Sequence, residues 1–180
     1  MMGIVPPPGA ARKSARRVIY CDMADASAKT NAIRLLERTG VPFDVHTYDV
    51  GDAHLDAVSV AKKTGAEPER VFKTLVTRTV AREVIVFVVP GPNALDLKKA
   101  AREIGTKLEM LPVAELFSVT GYVRGGCSPF AMKKPYPTIL DESAAMFDRI
   151  LVSAGRPGLQ LEIEPRVVIE HAGARYADVV

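Results

Sequence analysis

The 180 residues contain no tryptophan, only three histidines and only two cysteines. Each scarcity excludes a chemistry. Cys21 and Cys127 lie far apart and form no CxxC pair, which fits a reducing cytoplasm better than a disulfide scaffold. His46, His54 and His171 make no HxxxH or HxxEH pattern, so no metal site is expected. Neither GxxxxGK[ST] nor GxGxxG occurs, which removes the standard phosphate loops. No apolar run approaches the roughly 20 residues of a membrane-spanning helix. The longest candidate, EVIVFVVP, is strand-sized, and no apolar segment follows the early arginines as a secretory signal requires. A cytoplasmic location without membrane association is the expectation.

Acidic residues are missing from positions 1–20, where Arg12, Lys13, Arg16 and Arg17 supply four positive charges against a total of +3. The rest of the chain therefore sums to −1. Within it, residues 67–134 hold eleven basic and seven acidic side chains, whereas 135–180 hold four and seven. Such a basic zone suits a phosphate backbone, although most such zones are only solvated faces. Residues 1–27, rich in Pro, Gly, Ala and Arg, read as a basic, flexible extension before a single domain over 28–180.

Periodicity predicts helices over Ala28–Thr39 and His54–Thr64, each stopped by a glycine, and a strand in VPFDVHTYDV. VFKTLVT and EVIVFVVP read as a hairpin joined by RTVAR. Asn93 is the expected cap of the next helix, with Asp96 three positions on and Gly105 at its exit. Short strands in LEML, PTILD, RILVSAG and LQLEIE, a short helix opened by Pro112 and a last one over Pro165–His171 complete the pattern. Strands mixed with helices and joined by hairpin-length turns imply a mixed α/β sheet wrapped by helices. No βαβαβ repeat supports a doubly wound nucleotide fold.

Four features carry candidate chemistry. Lys73 sits among apolar neighbours in VFKTLV, so it either snorkels from an edge strand or meets a carboxylate or phosphate in a pocket. Asp141 ends the strand TIL, either as a cleft carboxylate or as an N-cap for the residues after the strand. Tyr48 ends the first strand, lining the same cleft or closing the core. GYVRGGCSPF offers Cys127 as a thiol nucleophile, but no histidine spacing supplies a base, and a lone cysteine in a glycine-rich turn is usually packing.

HTYDV, GAEPERVFKTLV, PGPNALDLKKAAREIG, TGYVRGGCSPFAMKK, PTILDE and ILVSAGRPGLQLEI succeed one another in this order. This succession closely resembles the YbaK/prolyl-tRNA-editing-domain family over residues 29–180, and in particular its free-standing Cys-tRNA(Pro) deacylases. The resemblance implies a single compact domain with a curved, barrel-like mixed sheet surrounded by helices. It also implies trans-editing: hydrolysis of the ester between a wrong amino acid and tRNA(Pro), with Cys-tRNA(Pro) the favoured substrate and Ala- or Ser-tRNA as alternatives. No cofactor, metal or protein nucleophile is implied, the attacking group being water or the substrate's own thiol. The implied partners are the acceptor end of tRNA(Pro) and prolyl-tRNA synthetase. On matching positions, Lys73 is expected to hold the phosphate end of the acceptor strand, with Thr74 beside it. Gly125 and Gly126, followed by Ser128 and Pro129, fit the loop that positions the ester carbonyl and the amino-acid side chain. Tyr48 and Asp141 fall on pocket positions, and Leu55 stands where relatives carry an aromatic wall. The competing readings are a non-catalytic RNA- or nucleotide-binding module on the same fold and a thiol hydrolase using Cys127.

Overall fold

A computed structural model describes residues 29–51 and 57–180. Its elements run α1 (Asn31–Thr39), β1 (Asp44–Thr47), α2 (Ala57–Thr64), β2 (Phe72–Thr79), β3 (Val84–Pro90), α3 (Leu97–Ile104), β4 (Leu108–Met110), α4 (Val113–Thr120), β5 (Thr138–Asp141), β6 (Ile150–Ser153), β7 (Leu159–Ile163), α5 (Pro165–Ala172) and β8 (Ala174–Ala177). The extension, Leu55 and the start of the second helix at His54 lie outside the described residues.

The sheet is mixed and resolves into two parts. Five strands run β4-β2-β3-β5-β8, and three run β1-β7-β6. β2 pairs antiparallel with β3 and β4, while β3–β5 and β5–β8 are parallel. The three-stranded part is antiparallel throughout, and among the described residues one parallel bridge, Val71 to Leu151, connects the two. β3 explains its own position. Its uninterrupted apolar run suits a strand covered on both faces: Ile85, Phe87 and Val89 pack with Ala100 of α3, whereas Val88 joins the main core with Phe72, Leu140 and Leu161.

Helix ends obey their local chemistry. Thr30 caps α1 by accepting from Ile33 N at 3.2 Å, and Gly40 closes it in the left-handed conformation. Asp96, not Asn93, caps α3, its carboxylate accepting from Lys98 N at 2.7 Å and Lys99 N at 3.0 Å. A carboxylate reaches two orphan amides at once, so the helix starts later than its pattern implies. β8, absent from the sequence expectations, adds a short edge strand beside β5. Among the described residues no helix is long and apolar enough to cross a membrane.

Candidate active site

β2 passes its Lys73–Val76 stretch along one wall of a cavity of about 630 Å³, which β6, β7, α2, α4 and the glycine loop help to enclose. Tyr48, Lys73, Thr74, Gly91, Arg124, Gly125, Cys127, Ser153 and Gln160 are among its lining residues. Its charged lining side chains are the two cations Lys73 and Arg124, with no carboxylate and no histidine among the described residues that face it. A cavity so lined favours an anionic ligand.

Its polar groups are unusual in one respect. Among the described residues four buried side-chain polar atoms have no hydrogen-bond partner, and three of them are Tyr48 Oη, Thr74 Oγ1 and Gln160 Oε1. All three residues line this cavity. Buried polar groups are normally satisfied, and leaving one unmade costs about 1–3 kcal/mol. Three such groups around one space, unbonded within the protein, are polar anchors open to water or to a bound ligand.

Each group reaches the cavity for a local reason. β7 alternates Leu159, Leu161 and Ile163 into the core, so Gln160 and Glu162 project from its other face. Gln160 pairs with Ser153 on one side and His46 on the other, and only 5% of its surface is exposed. The same face is fixed by ions. Glu162 accepts from His46 Nε2 and Arg70 Nη2, each at 2.8 Å, and Arg149 binds Asp44 and the Glu162 carbonyl, each at 2.5 Å. Burial pushes the Glu162 carboxyl up, but the hydrogen bond from His46, the charge of Arg149 and the bond from Arg70 outweigh it and hold it below the ordinary value. Lys73 Nζ donates to Gly91 O at 2.8 Å, and Gly91 N donates to Val71 O at 2.6 Å. Gly91 cannot be larger, because an added Cβ would lie 2.3 Å from Ala57 Cβ. Lys73 is thus held against the main chain that turns out of β3.

The glycine loop divides its labour. Gly125, at φ 80°, is on the cavity wall. Gly126 is not. Its N–H is committed to Val123 O at 3.0 Å, and an added Cβ would lie 2.7 Å from both Arg156 Cα and Pro157 Cδ. Its smallness lets the loop pass the β6–β7 turn, so no oxyanion donor is available from its amide. Ser128 is fully buried and its Oγ accepts from Phe130 N at 3.3 Å, a turn bond rather than a cavity contact. Pro129 faces a separate cavity of about 310 Å³ beside His171. Asp141 turns away as well, capping the 3-10 turn Glu142–Met146 through Ser143 N at 3.1 Å and accepting from Val179 N at 3.2 Å. Of the residues expected together from sequence, Tyr48, Lys73, Thr74 and Gly125 meet, whereas Gly126, Ser128, Pro129 and Asp141 build the surroundings.

Cys127 lines the cavity but is poorly suited to attack. Burial pushes its thiol up to about 12, with Thr120 opposing, so the thiolate is scarce near neutrality. Tyr122 fastens the loop around it, its hydroxyl donating to Phe130 O at 2.7 Å. Sequence reasoning missed Arg124 and also Gln160. The signal for Gln160 was the alternation in LQLEI, but which strand face opens on a cavity depends on partners distant in sequence. A groove of about 670 Å³ along α1, lined by Arg34, Leu35 and Arg38 among others, contains none of the unpartnered groups.

Residues 53–170 match the family model described as "Aminoacyl-tRNA editing domain". The chain is 43% identical over 152 residues to "Putative Cys-tRNA(Pro)/Cys-tRNA(Cys) deacylase EbsC" of Enterococcus faecalis, covering 84% of this chain and 93% of that protein. It is 28% identical over 127 residues to "Uncharacterized protein YwhH" of Bacillus subtilis, covering 71% and 80% respectively. Its fold superposes with a TM-score of 0.74 on a crystal structure described as "a putative trans-editing enzyme for prolyl tRNA synthetase", at 27% identity over 84% of this chain and 98% of that one. The chain belongs to the aminoacyl-tRNA editing domain family.

Proposed function

We propose that the cavity hydrolyses, in trans, the ester joining a misattached amino acid to the 3′ end of tRNA(Pro), with cysteine the favoured amino acid. The supporting observation is the trio Tyr48 Oη, Thr74 Oγ1 and Gln160 Oε1, buried and unpartnered around a cavity whose charged lining is cationic. An aminoacyl ester presents complementary groups: an α-ammonium donor, a carbonyl, ribose hydroxyls and a nearby phosphate. Gln160 Oε1 can only accept, which suits the ammonium. Lys73 and Arg124 suit the phosphate, and the main chain at Gly125 suits the carbonyl.

The reaction asks little of the protein because the ester is already activated. A water oxygen, or the cysteinyl thiol of the substrate, attacks the carbonyl carbon. The carbon–oxygen bond to the ribose then breaks, and the proton released by the nucleophile ends on the ribose oxygen; on the thiol route the product is a cyclic thioester, which water then opens to free cysteine. Orientation by fixed polar groups supplies the acceleration, which matches a cavity wall whose one described thiol, Cys127, is poorly suited to attack. Prolyl-tRNA synthetase is the proposed source of the mischarged tRNA and the proposed partner.

Time-courses with Cys-, Ala- and Ser-tRNA(Pro) test the proposal. Release of amino acid fastest from Cys-tRNA(Pro) is expected. Tight binding with no release from any of the three would instead make the chain a non-catalytic RNA-binding module.

A further inference from the structure

We infer that the outer face of α4 receives the unpaired nucleotides that immediately precede the ester-bearing adenosine. This rests on the deacylase reading for its ligand but concerns the surface that runs outward from the cavity rim to Phe117 and Val123. Val113 and Phe117 lie one turn apart on α4 and are 61% and 60% exposed. Met110, 44% exposed, and Val123, 49% exposed, flank them at the two ends of the helix. Four large apolar side chains left open on so short a stretch form a patch that a partner is expected to cover.

Two observations select the occupant. The first is continuity: Met110, Val113, Leu116 and Arg124 also line the cavity, so the patch begins at its mouth. An RNA whose terminal nucleoside is inside must leave across some part of that rim. The second is charge. Exposed Arg124 and Lys133 border the patch, and Lys133 Nζ stands 4.9 Å from the centre of the Phe117 ring. Lys133 also donates to Ser118 O at 3.1 Å, which fixes the ammonium at the end of the helix. Of the nearby acids, Glu115 is neutralised by Arg78, leaving exposed Glu109 on β4. An exposed aromatic ring beside fixed cations is the arrangement on which single-stranded bases stack while their phosphates are neutralised. A protein partner would use the apolar residues but has less use for the cations.

The test measures binding and turnover separately. Fluorescence anisotropy with a labelled single-stranded RNA ending in CCA compares the wild-type chain with Phe117→Ala and Phe117→Trp. Phe117→Ala is expected to weaken binding on the order of tenfold, the loss typical of one stacked base, and Phe117→Trp to restore it. With mischarged tRNA the loss should fall on KM and spare kcat. With the aminoacyl ester of adenosine alone, Phe117→Ala should match the wild type. Equal RNA binding by wild type and Phe117→Ala overturns the inference, as does no RNA binding by either. Unchanged RNA binding together with lost association of purified prolyl-tRNA synthetase reassigns the face to a protein and also overturns it. If the wild type binds RNA but releases no amino acid, the catalytic reading fails, and the binding comparison still decides the role of α4.

Discussion

Thr74→Val should make the protein more stable and less active. The hydroxyl is buried without a partner, and its residue lies in mid-strand on β2 opposite Val88 of β3. Valine keeps the β-branched shape and strand preference, so the exchange replaces a hydroxyl by a methyl and little else. Where a buried hydroxyl is bonded, losing it costs about 1 kcal/mol. Here no protein bond is lost, and part of a desolvation penalty of about 1–3 kcal/mol is relieved, cavity water offsetting the rest. The net gain should be about 1 kcal/mol, or a Tm higher by roughly 2–4 °C for a chain of this size. The bound ester, by contrast, loses one neutral hydrogen bond worth about 0.5–1.5 kcal/mol, a fall in kcat/KM of roughly 2- to 12-fold. Calorimetry and release of labelled cysteine from Cys-tRNA(Pro) read the two effects on the same preparation. A variant that is less stable and fully active refutes the reasoning, because the hydroxyl would then be bonded in the free protein and idle toward substrate.

The ionisable groups lead to two further outcomes. In a Cys21→Ser background, Cys127 should label with iodoacetamide at pH 8 on the order of a thousandfold more slowly when folded than when unfolded, since burial pushes its thiol up to about 12; Cys127→Ala should retain deacylation, and its loss would restore the thiol mechanism. Glu162 has a folded pKa below its ordinary value of 4.5, so its contribution is fully present above that value and disappears as pH falls through the lower folded value. Urea midpoints should therefore drop below about pH 4.5, with a shallower drop in Glu162→Gln; identical slopes would mean the His46–Arg70–Arg149 cluster contributes nothing.

Local features of the site were legible in the sequence and its non-local features were not. Lys73 and Thr74 could be placed because VFKTLV and EVIVFVVP are two strand-sized apolar runs joined by the polar RTVAR, and the observed register pairs Lys73 with Val89. Gly125 was recognisable from its loop, but its neighbour's role depended on the Arg156–Pro157 turn pressing against Gly126. Asp141 shows the limit most clearly. A carboxylate ending a strand serves a cleft or a cap equally well in sequence, and the amides of Ser143 and Val179 decide for the cap. Gln160 reads as an ordinary outward residue of β7 until β2 and α2 close over that face. β8 escaped for a similar reason: four residues of weak alternation become a strand only because β5 offers an open edge.

The central claim is that this cavity cleaves an aminoacyl ester by fixing its phosphate and carbonyl ends. The most direct test is single-turnover deacylation of Cys-tRNA(Pro) by the wild type and by Lys73→Ala, with circular dichroism to verify the fold. The account predicts release of free cysteine by the wild type and much slower release by a folded Lys73→Ala, a loss of roughly 10- to 150-fold for removing a part-buried charge-assisted contact. Equal rates in the two proteins would contradict it.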